Sequence, residues 1–447
     1  MSLMPKVGQA VPPAKRSIPT APTRQLIRWQ SLTLALLVIG YSGYYLCRSN
    51  LSVTMPLIAA EMTGRGITAN AARIALGSIA SFGVLAYAIG KFPSGWLADL
   101  LGGRRNFLFG MAGAIAFTLL FAASGTIPFF TLAWMGNRLV QSLGWAGAVK
   151  ITAKWFSFRR YGSVMAIMSL SFLFGDAIAR QFMGWLIAIG LGWRGVFAVC
   201  ASVLAVLLGS CLLLLRESPS AIGQPEPAAN PNNLFAGENL PTARSLLATL
   251  ASSSAFRLAC ILSLGLTIVK ETFSLWTPTY FVQATGMTPA AAAGNSAVFP
   301  LLGGVSVLLC GWVSDRLGRQ GRASVILTGL VLAGIALLTL ASGAFHGSRL
   351  WTVLLVSLVA FLIIGPYSYL AGAISLDFGG KQASGTTSGL IDGIGYLGGI
   401  VSGDSMARIS VNYGWSGALL VLAVIAFLSS VAALAFLAQQ KTIEPSP

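Results

Sequence analysis

Arg48 and Lys270 are cations set inside otherwise apolar runs, and they are the residues whose placement most suggests chemistry. An ion at membrane depth costs about 3 kcal/mol or more, so such a group is expected to have a partner or a task. A phosphate monoester carries nearly two negative charges at neutral pH. Two cations converging from different segments would match it through charge-assisted hydrogen bonds. Lys270 lies near the middle of its run. Several acids accompany the cations. Glu271 adjoins Lys270 but points about 100° away around a helix, so it need not neutralise it. Asp377 and Asp392 fall near the end of one apolar run and early in the next. Asp176/Arg180 and Asp404/Arg408 have the i,i+4 spacing at which acid and base satisfy each other along one helix face. Tyr41, Tyr44, Tyr45, Trp145, Trp276, Tyr280 and Tyr396 offer hydroxyl or indole N–H donors for anion or sugar oxygens, with Tyr45 one turn from Arg48.

The chemistry implied is capture rather than catalysis. No nucleophile–base pair, metal-ligand cluster or phosphate-cradling Gly-rich loop appears, so neither an enzyme, a cofactor nor a metal is expected. The cysteines (Cys47, Cys200, Cys211, Cys260, Cys310) lie in or at the edge of apolar runs without ligand spacing, and read as structural thiols. His346 falls in a loop.

These groups need elements to hold them, and composition says which. Of 447 residues, 55% are hydrophobic and 9% charged, against about 25% charged in a soluble globular chain. Runs of about 20 apolar residues, each long enough to span a bilayer, cover approximately 31–55, 72–98, 106–124, 127–150, 162–187, 193–215, 255–281, 290–313, 323–343, 350–374, 385–409 and 414–438. The expected fold is an all-α membrane protein of twelve transmembrane helices. The formal charge of +17 follows topology rather than nucleic acid. Lys15, Arg16, Arg104, Arg105, Arg159, Arg160, Arg316, Arg319 and Arg322 lie on the side of the N-terminus, and Arg65, Arg73, Arg194 and Arg349 in the opposite loops. Positive charge marks the cytoplasmic face, which places both termini there. The lipid bilayer, with its anionic headgroups, accounts for the rest of the basic excess. The first thirty residues are basic and Pro-rich and carry no cleavable signal pattern.

A polar stretch with Pro219, Pro225, Pro227, Pro231 and Pro241 divides the chain. The expected organisation is a basic cytoplasmic segment (1–30), a six-helix bundle (31–215), a cytoplasmic linker (216–254), a second six-helix bundle (255–438) and a cytoplasmic tail (439–447). The halves repeat. Arg48 and Pro56 recur as Lys270 and Pro278, a shift of 222, and Gly192-Trp193 recurs as Gly414-Trp415 at the same shift. Gly95-Trp96-Leu97-Ala98-Asp99 recurs as Gly311-Trp312-Val313-Ser314-Asp315, and Asp176…Arg180 as Asp404…Arg408. Two pseudo-symmetric six-helix repeats around a midplane site is the plan of a secondary transporter with alternating access. One cation from each half would make closure around an unoccupied site unfavourable, and exchange therefore obligatory.

Gly90-Lys91-Phe92-Pro93-Ser94-Gly95-Trp96-Leu97-Ala98-Asp99 through Arg104 and Arg105 resembles the loop 2–3 signature of the major facilitator superfamily, and Gly311 to Arg319 its second copy. The resemblance implies that Asp99, Arg104, Asp315 and Arg319 latch the cytoplasmic side. Within that superfamily, Gly40 to Arg48, Gly144-Trp145 through Lys150 to Ser157, Leu275 to Tyr280, Leu309 to Trp312 and Gly393 to Gly399 resemble the organophosphate:phosphate antiporters. That resemblance implies phosphoryl binding by Arg48 and Lys270, with Lys150 aligned to a third basic position. It implies exchange of a sugar phosphate or glycerol phosphate for inorganic phosphate, by a monomer in an inner membrane with no nucleic-acid partner. Phe172 stands where that family pattern has a histidine, and Arg138 resembles the span-four motif of proton-coupled facilitators. Arg138, Glu271, Asp377 and Asp392 are thus candidates for proton coupling. The rival readings are a proton-coupled symporter of another organic anion and a transporter-like sugar-phosphate sensor.

Overall fold

Helix is the form these apolar runs must take, because a bilayer core has no water to satisfy peptide groups and each span has to close its own hydrogen bonds. The computed structural model describes residues 23–227, 248, 250–345 and 347–443, and among these no strand is present. The expected all-α fold holds. The first half comprises α1 (Arg24–Leu46), α2 (Asn50–Gly64), α3 (Ala69–Leu101), α4 (Gly103–Ala123), α5 (Ile127–Trp155), α6 (Phe158–Ala188) and α7 (Trp193–Leu214). The second comprises α8 (Ser254–Thr285), α9 (Pro289–Ser296), α10 (Val298–Ala341), α11 (Arg349–Tyr369), α12 (Ser375–Gly399) and α13 (Asp404–Ile443). The first predicted span is α1 and α2 in series, interrupted at Cys47–Ser49. In α13 a joint at Gly414, with φ 69° and ψ −179°, separates the end of the eleventh span from the twelfth. That positive φ is open to glycine and strained for other residues.

Among the described residues, eight segments are long and apolar enough to cross a membrane by composition alone. The spans that fall short run through α1–α2, α5 and α6. The first is split at Cys47–Ser49, which leaves α2 only 15 residues long, and the other two carry Arg138, Asp176 and Arg180 within their apolar lengths.

The repeat recurs in atomic detail. The Trp193 indole donates to Glu61 at 2.5 Å, and the Trp415 indole donates to Gln283 at 2.7 Å. Donors and acceptors are both 222 residues apart, so each half ties the start of its last span to its first span in the same way.

The halves meet where α2 packs on α8, α6 on α9 and α10, and α3 on α12 and α13. Two crossings depend on absent side chains. A Cβ at Gly403 would lie 2.4 Å from the Gly77 carbonyl oxygen, and one at Gly184 would lie 2.9 Å from the Gly294 nitrogen. Such small-residue crossings let backbones approach closely. Pro278 adds a polar device. It lacks an N–H, which frees the carbonyl of Ser274 four residues earlier. Arg180 Nη2 donates to that carbonyl at 2.7 Å and Ser52 Oγ at 2.9 Å, joining α6 and α2 to α8. Arg180 also donates to Asp176 at 3.1 Å and Ser296 at 3.3 Å, and Ser49 donates to Asp176. On the other crossing, Ser78 donates to Asp404 at 2.6 Å, Arg408 pairs with Asp404 at 2.8 Å, and Arg73 donates to the Ser410 carbonyl at 3.3 Å. Among the described residues, the hydrogen bonds between halves run from mid-bundle to the end opposite the termini.

Candidate functional site

The break between α1 and α2 puts Arg48 beside α5, where a chain of amides holds it. Asn137 donates to Thr118 at 2.9 Å and Gln141 donates to Asn137 at 2.6 Å. Arg48 Nε then donates to Gln141 Oε1 at 2.8 Å, and Nη1 to the Tyr45 hydroxyl at 3.2 Å. Its Nη2 is buried and has no hydrogen-bond partner among the described residues. A buried donor without a partner costs about 1–3 kcal/mol, so the guanidinium is oriented and left with unspent hydrogen-bonding capacity.

Tyr87 of α3 links the cations. Its ring lies 4.9 Å from the Arg48 guanidinium, 4.7 Å from that of Arg138 and 5.3 Å from Lys91 Nζ. Arg138 is 7% exposed and, among the described residues, forms no ion pair. The Tyr87 ring meets that of Tyr396 at 5.4 Å, crossing from α3 to α12. Tyr396 in turn lies 4.6 Å from Lys91 Nζ and 5.4 Å from Lys270 Nζ. On the second half, Lys270 pairs with Glu271 at 3.0 Å and stands 4.5 Å from the Tyr367 ring. Lys91 pairs across the halves with Asp392 at 2.5 Å, and the Tyr367 hydroxyl donates to the other Asp392 oxygen at 2.8 Å.

Arg48, Lys270, Tyr45, Tyr396, Arg138, Glu271 and Asp392 therefore share one cluster, with Tyr41 meeting the Tyr45 ring edge-to-face at 6.2 Å. Glu271 does meet Lys270, which helix angles alone left open. Adjacent positions diverge at Cβ, but both side chains are long and flexible enough for their charged ends to meet. Trp276 stands apart, 2% exposed in the second-half core, where its indole donates to the Ser402 carbonyl at 2.8 Å. Lys150 lies against Gly103, nine residues or about 13 Å of helix beyond Gln141. Lys91, Tyr87, Tyr367 and Gln141 are members that sequence reasoning did not select. Lys91 had a signal, being a cation within a predicted span, and Tyr367 had another, standing 222 residues after Trp145.

At the end bearing the termini, Arg104 donates to the Leu215 and Leu212 carbonyls at 2.7 Å each, within its own half. The side chains of Asp99, Asp315, Arg319 and Asp377, and residue His346, lie outside the described residues. Glu217 accepts from the backbone amides of Gly103 (3.0 Å) and Arg104 (2.7 Å) and pairs with Lys154 at 2.7 Å. It thus sits at the positive end of α4. Burial disfavours its charge, but the Lys154 ammonium and the two amides outweigh burial and hold the carboxyl below its ordinary value of 4.5. A depressed carboxylate stabilises the fold above its unfolded pKa, and that contribution fades as pH falls through the folded value. Glu217→Gln is therefore expected to lower the melting temperature at pH 7 by about 1–3 °C. Scanning fluorimetry should find the gap to the parent narrowing as pH drops below 4.5; a gap unchanged with pH would assign Glu217 a packing role instead.

A sequence profile of the Major Facilitator Superfamily matches residues 37–403. The chain is 25% identical to the glycerol-3-phosphate transporter of Bacillus subtilis, over 90% of this chain and 89% of that one. It is 25% identical to a probable hexose phosphate transport protein of Chlamydia muridarum, over 96% of each, and 25% identical to the membrane sensor protein UhpC of Salmonella typhimurium, over 92% of each. Among solved structures, a bacterial homologue of the human lysosomal transporter Spinster superposes with a TM-score of 0.73 at 13% identity. That match covers 94% of this chain and 99% of the other.

Proposed function

Since the chain belongs to the Major Facilitator Superfamily, it is a multi-pass membrane transporter and not an enzyme, and we propose that its cargo is an organophosphate of the sugar phosphate or glycerol phosphate type, exchanged for inorganic phosphate. One observation carries this reading: the cluster between the halves holds four cations (Arg48, Lys91, Arg138, Lys270) against two carboxylates (Glu271, Asp392) among the described residues. The surplus of two positive charges equals the charge of a phosphate monoester or hydrogen phosphate dianion. Arg48 supplies the planar fork that fits a phosphoryl group, and Gln141 sets its orientation. Tyr45, Tyr87, Tyr367 and Tyr396 bring hydroxyls to the same place without adding charge. The glycerol phosphate and hexose phosphate transporters among the relatives support the same class of cargo.

The route is alternating access in an inner membrane by a monomer, with both termini cytoplasmic. On that topology the end where Arg180 and Ser78 join the halves faces outward. Asp99, Arg104, Asp315 and Arg319 latch the cytoplasmic end in the state in which that end is closed.

The test is a thermal-shift screen of the purified protein, followed by counterflow in phosphate-loaded liposomes. Hydrogen phosphate and phosphate monoesters should stabilise the protein more than phosphodiesters or monocarboxylates, by about tenfold in midpoint concentration, since a monoanion leaves one positive charge unmatched. Selective stabilisation by carboxylates would refute the cargo class. A proton-coupled symporter would accumulate substrate under a pH gradient without internal phosphate. A sensor would bind sugar phosphate and show no counterflow, the alternative that the similarity to UhpC makes worth measuring.

A further inference from the structure

The charges of the site are divided unequally between the halves. Apart from the Asp176–Arg180 pair, which compensates itself at 3.1 Å, the first half presents Arg48, Arg138 and Lys91 and no carboxylate among the described residues. The second half presents Lys270, Glu271 and Asp392. Lys270 is matched by its neighbour Glu271 at 3.0 Å, which leaves Asp392 as the unmatched group of its half, and it reaches across to Lys91. The facing surfaces are therefore net positive and net negative. This reverses the repulsion expected from Arg48 and Lys270 alone. Tyr367, on α11, holds the second oxygen of Asp392 and fixes the carboxylate in line with α3.

Two halves of opposite charge have no electrostatic reason to resist meeting without cargo. We propose that Asp392 is a tethered anion. Paired with Lys91 across the halves, it supplies the negative charge that bound phosphate supplies in the loaded carrier, so that the carrier also closes and returns unloaded. The consequence is net transport of phosphate or organophosphate in addition to exchange, with exchange favoured but not obligatory. This deepens the transport reading above and rests on it.

The Lys91 and Asp392 side chains are 29% and 21% exposed, so the pair is neither dry nor fully screened. Liposomes loaded with labelled phosphate, with the membrane potential clamped, give two rates: counterflow against external phosphate and net efflux into phosphate-free buffer. The parent should show both. Asp392→Asn keeps an acceptor for Tyr367 but loses the charge, and should lower the ratio of net efflux to counterflow by about tenfold. Asp392→Glu should restore the ratio, and Lys91→Gln, which breaks the same pair from the other half, should lower it. Counterflow without net efflux in the parent overturns the proposal and needs no variant to do so. An unchanged ratio in Asp392→Asn also overturns it. Absence of counterflow with every phosphate tested would instead overturn the transport reading on which it rests.

Discussion

Arg48→Gln is expected to weaken phosphate binding by about 100-fold, roughly 3 kcal/mol, the sum of two charge-assisted hydrogen bonds of about 1.5 kcal/mol each. The guanidinium is held by Gln141 at 2.8 Å and Tyr45 at 3.2 Å, and its Nη2 has no hydrogen-bond partner among the described residues. Glutamine can meet Gln141 but presents neither charge nor fork. Arg48→Lys should recover less than half of the lost free energy, because an ammonium that reaches the anion cannot also fill the place of Nε against Gln141. Lys270→Gln should cost less, about tenfold, since Glu271 already takes part of the Lys270 charge at 3.0 Å. Phosphate titrations by calorimetry on purified protein order the three variants. Lys270→Gln costing more than Arg48→Gln would mean that the second half holds the phosphoryl group. If Arg48→Gln binds like the parent, the anion lies elsewhere.

Much of this fold was legible because burial of apolar length is a one-dimensional property. The repeat was legible too, since Arg48/Lys270 and Trp193/Trp415 keep one spacing through both halves. The site was legible in part. Arg48, Lys270, Tyr45 and Tyr396 stand out as polar groups in apolar runs, and the structure gathers them. What the sequence hid depends on which face of a helix meets which neighbour. Lys91 lies in a stretch whose motif speaks of the cytoplasmic latch, and nothing in one dimension says that α12 brings Asp392 to it. Tyr87 is one aromatic among many until three cations surround it. Trp276 has the same residue type as a cavity-lining group, yet α13 covers it. Its counterpart 222 residues earlier, Thr54, is fully buried as well, so both halves bury this register position with different residue types. The Lys270–Glu271 pair stayed open because ideal helix angles describe Cβ directions, not the reach of long side chains.

The seal at the end opposite the termini should depend on Arg180 more than on any other polar residue described there. Arg180 is 2% exposed and ties Asp176, Ser296 and the Ser274 carbonyl freed by Pro278, so one side chain joins α6 to both α8 and α9. Arg180→Ala leaves the Asp176 carboxylate buried with only Ser49 to serve it, and leaves the Ser274 carbonyl with Ser52. Removing one member of a buried ion pair costs about 3–5 kcal/mol. At about 2.1 cal/mol/K per residue for a chain of this length, that lowers the melting temperature by roughly 3–5 °C. Adding Asp176→Asn should recover part of the loss, since it removes the stranded charge while keeping an acceptor for Ser49; the recovery separates an ionic role from simple cavity formation. The equivalent pair, Asp404–Arg408, is a contrasting control. The Arg408 side chain is 58% exposed and Ser78 also serves Asp404, so Arg408→Ala should shift the melting temperature by about 1 °C or less. Because Arg180 bridges the halves, its loss should also populate the state in which they part at this end. A cysteine placed at Ser296, fully buried in the parent, should react with a membrane-impermeant thiol reagent far faster in the Arg180→Ala background than alone. If labelling and melting temperature both stay at the parent's values, the contact between halves is held by the glycine crossings, and Arg180 only fills space between them.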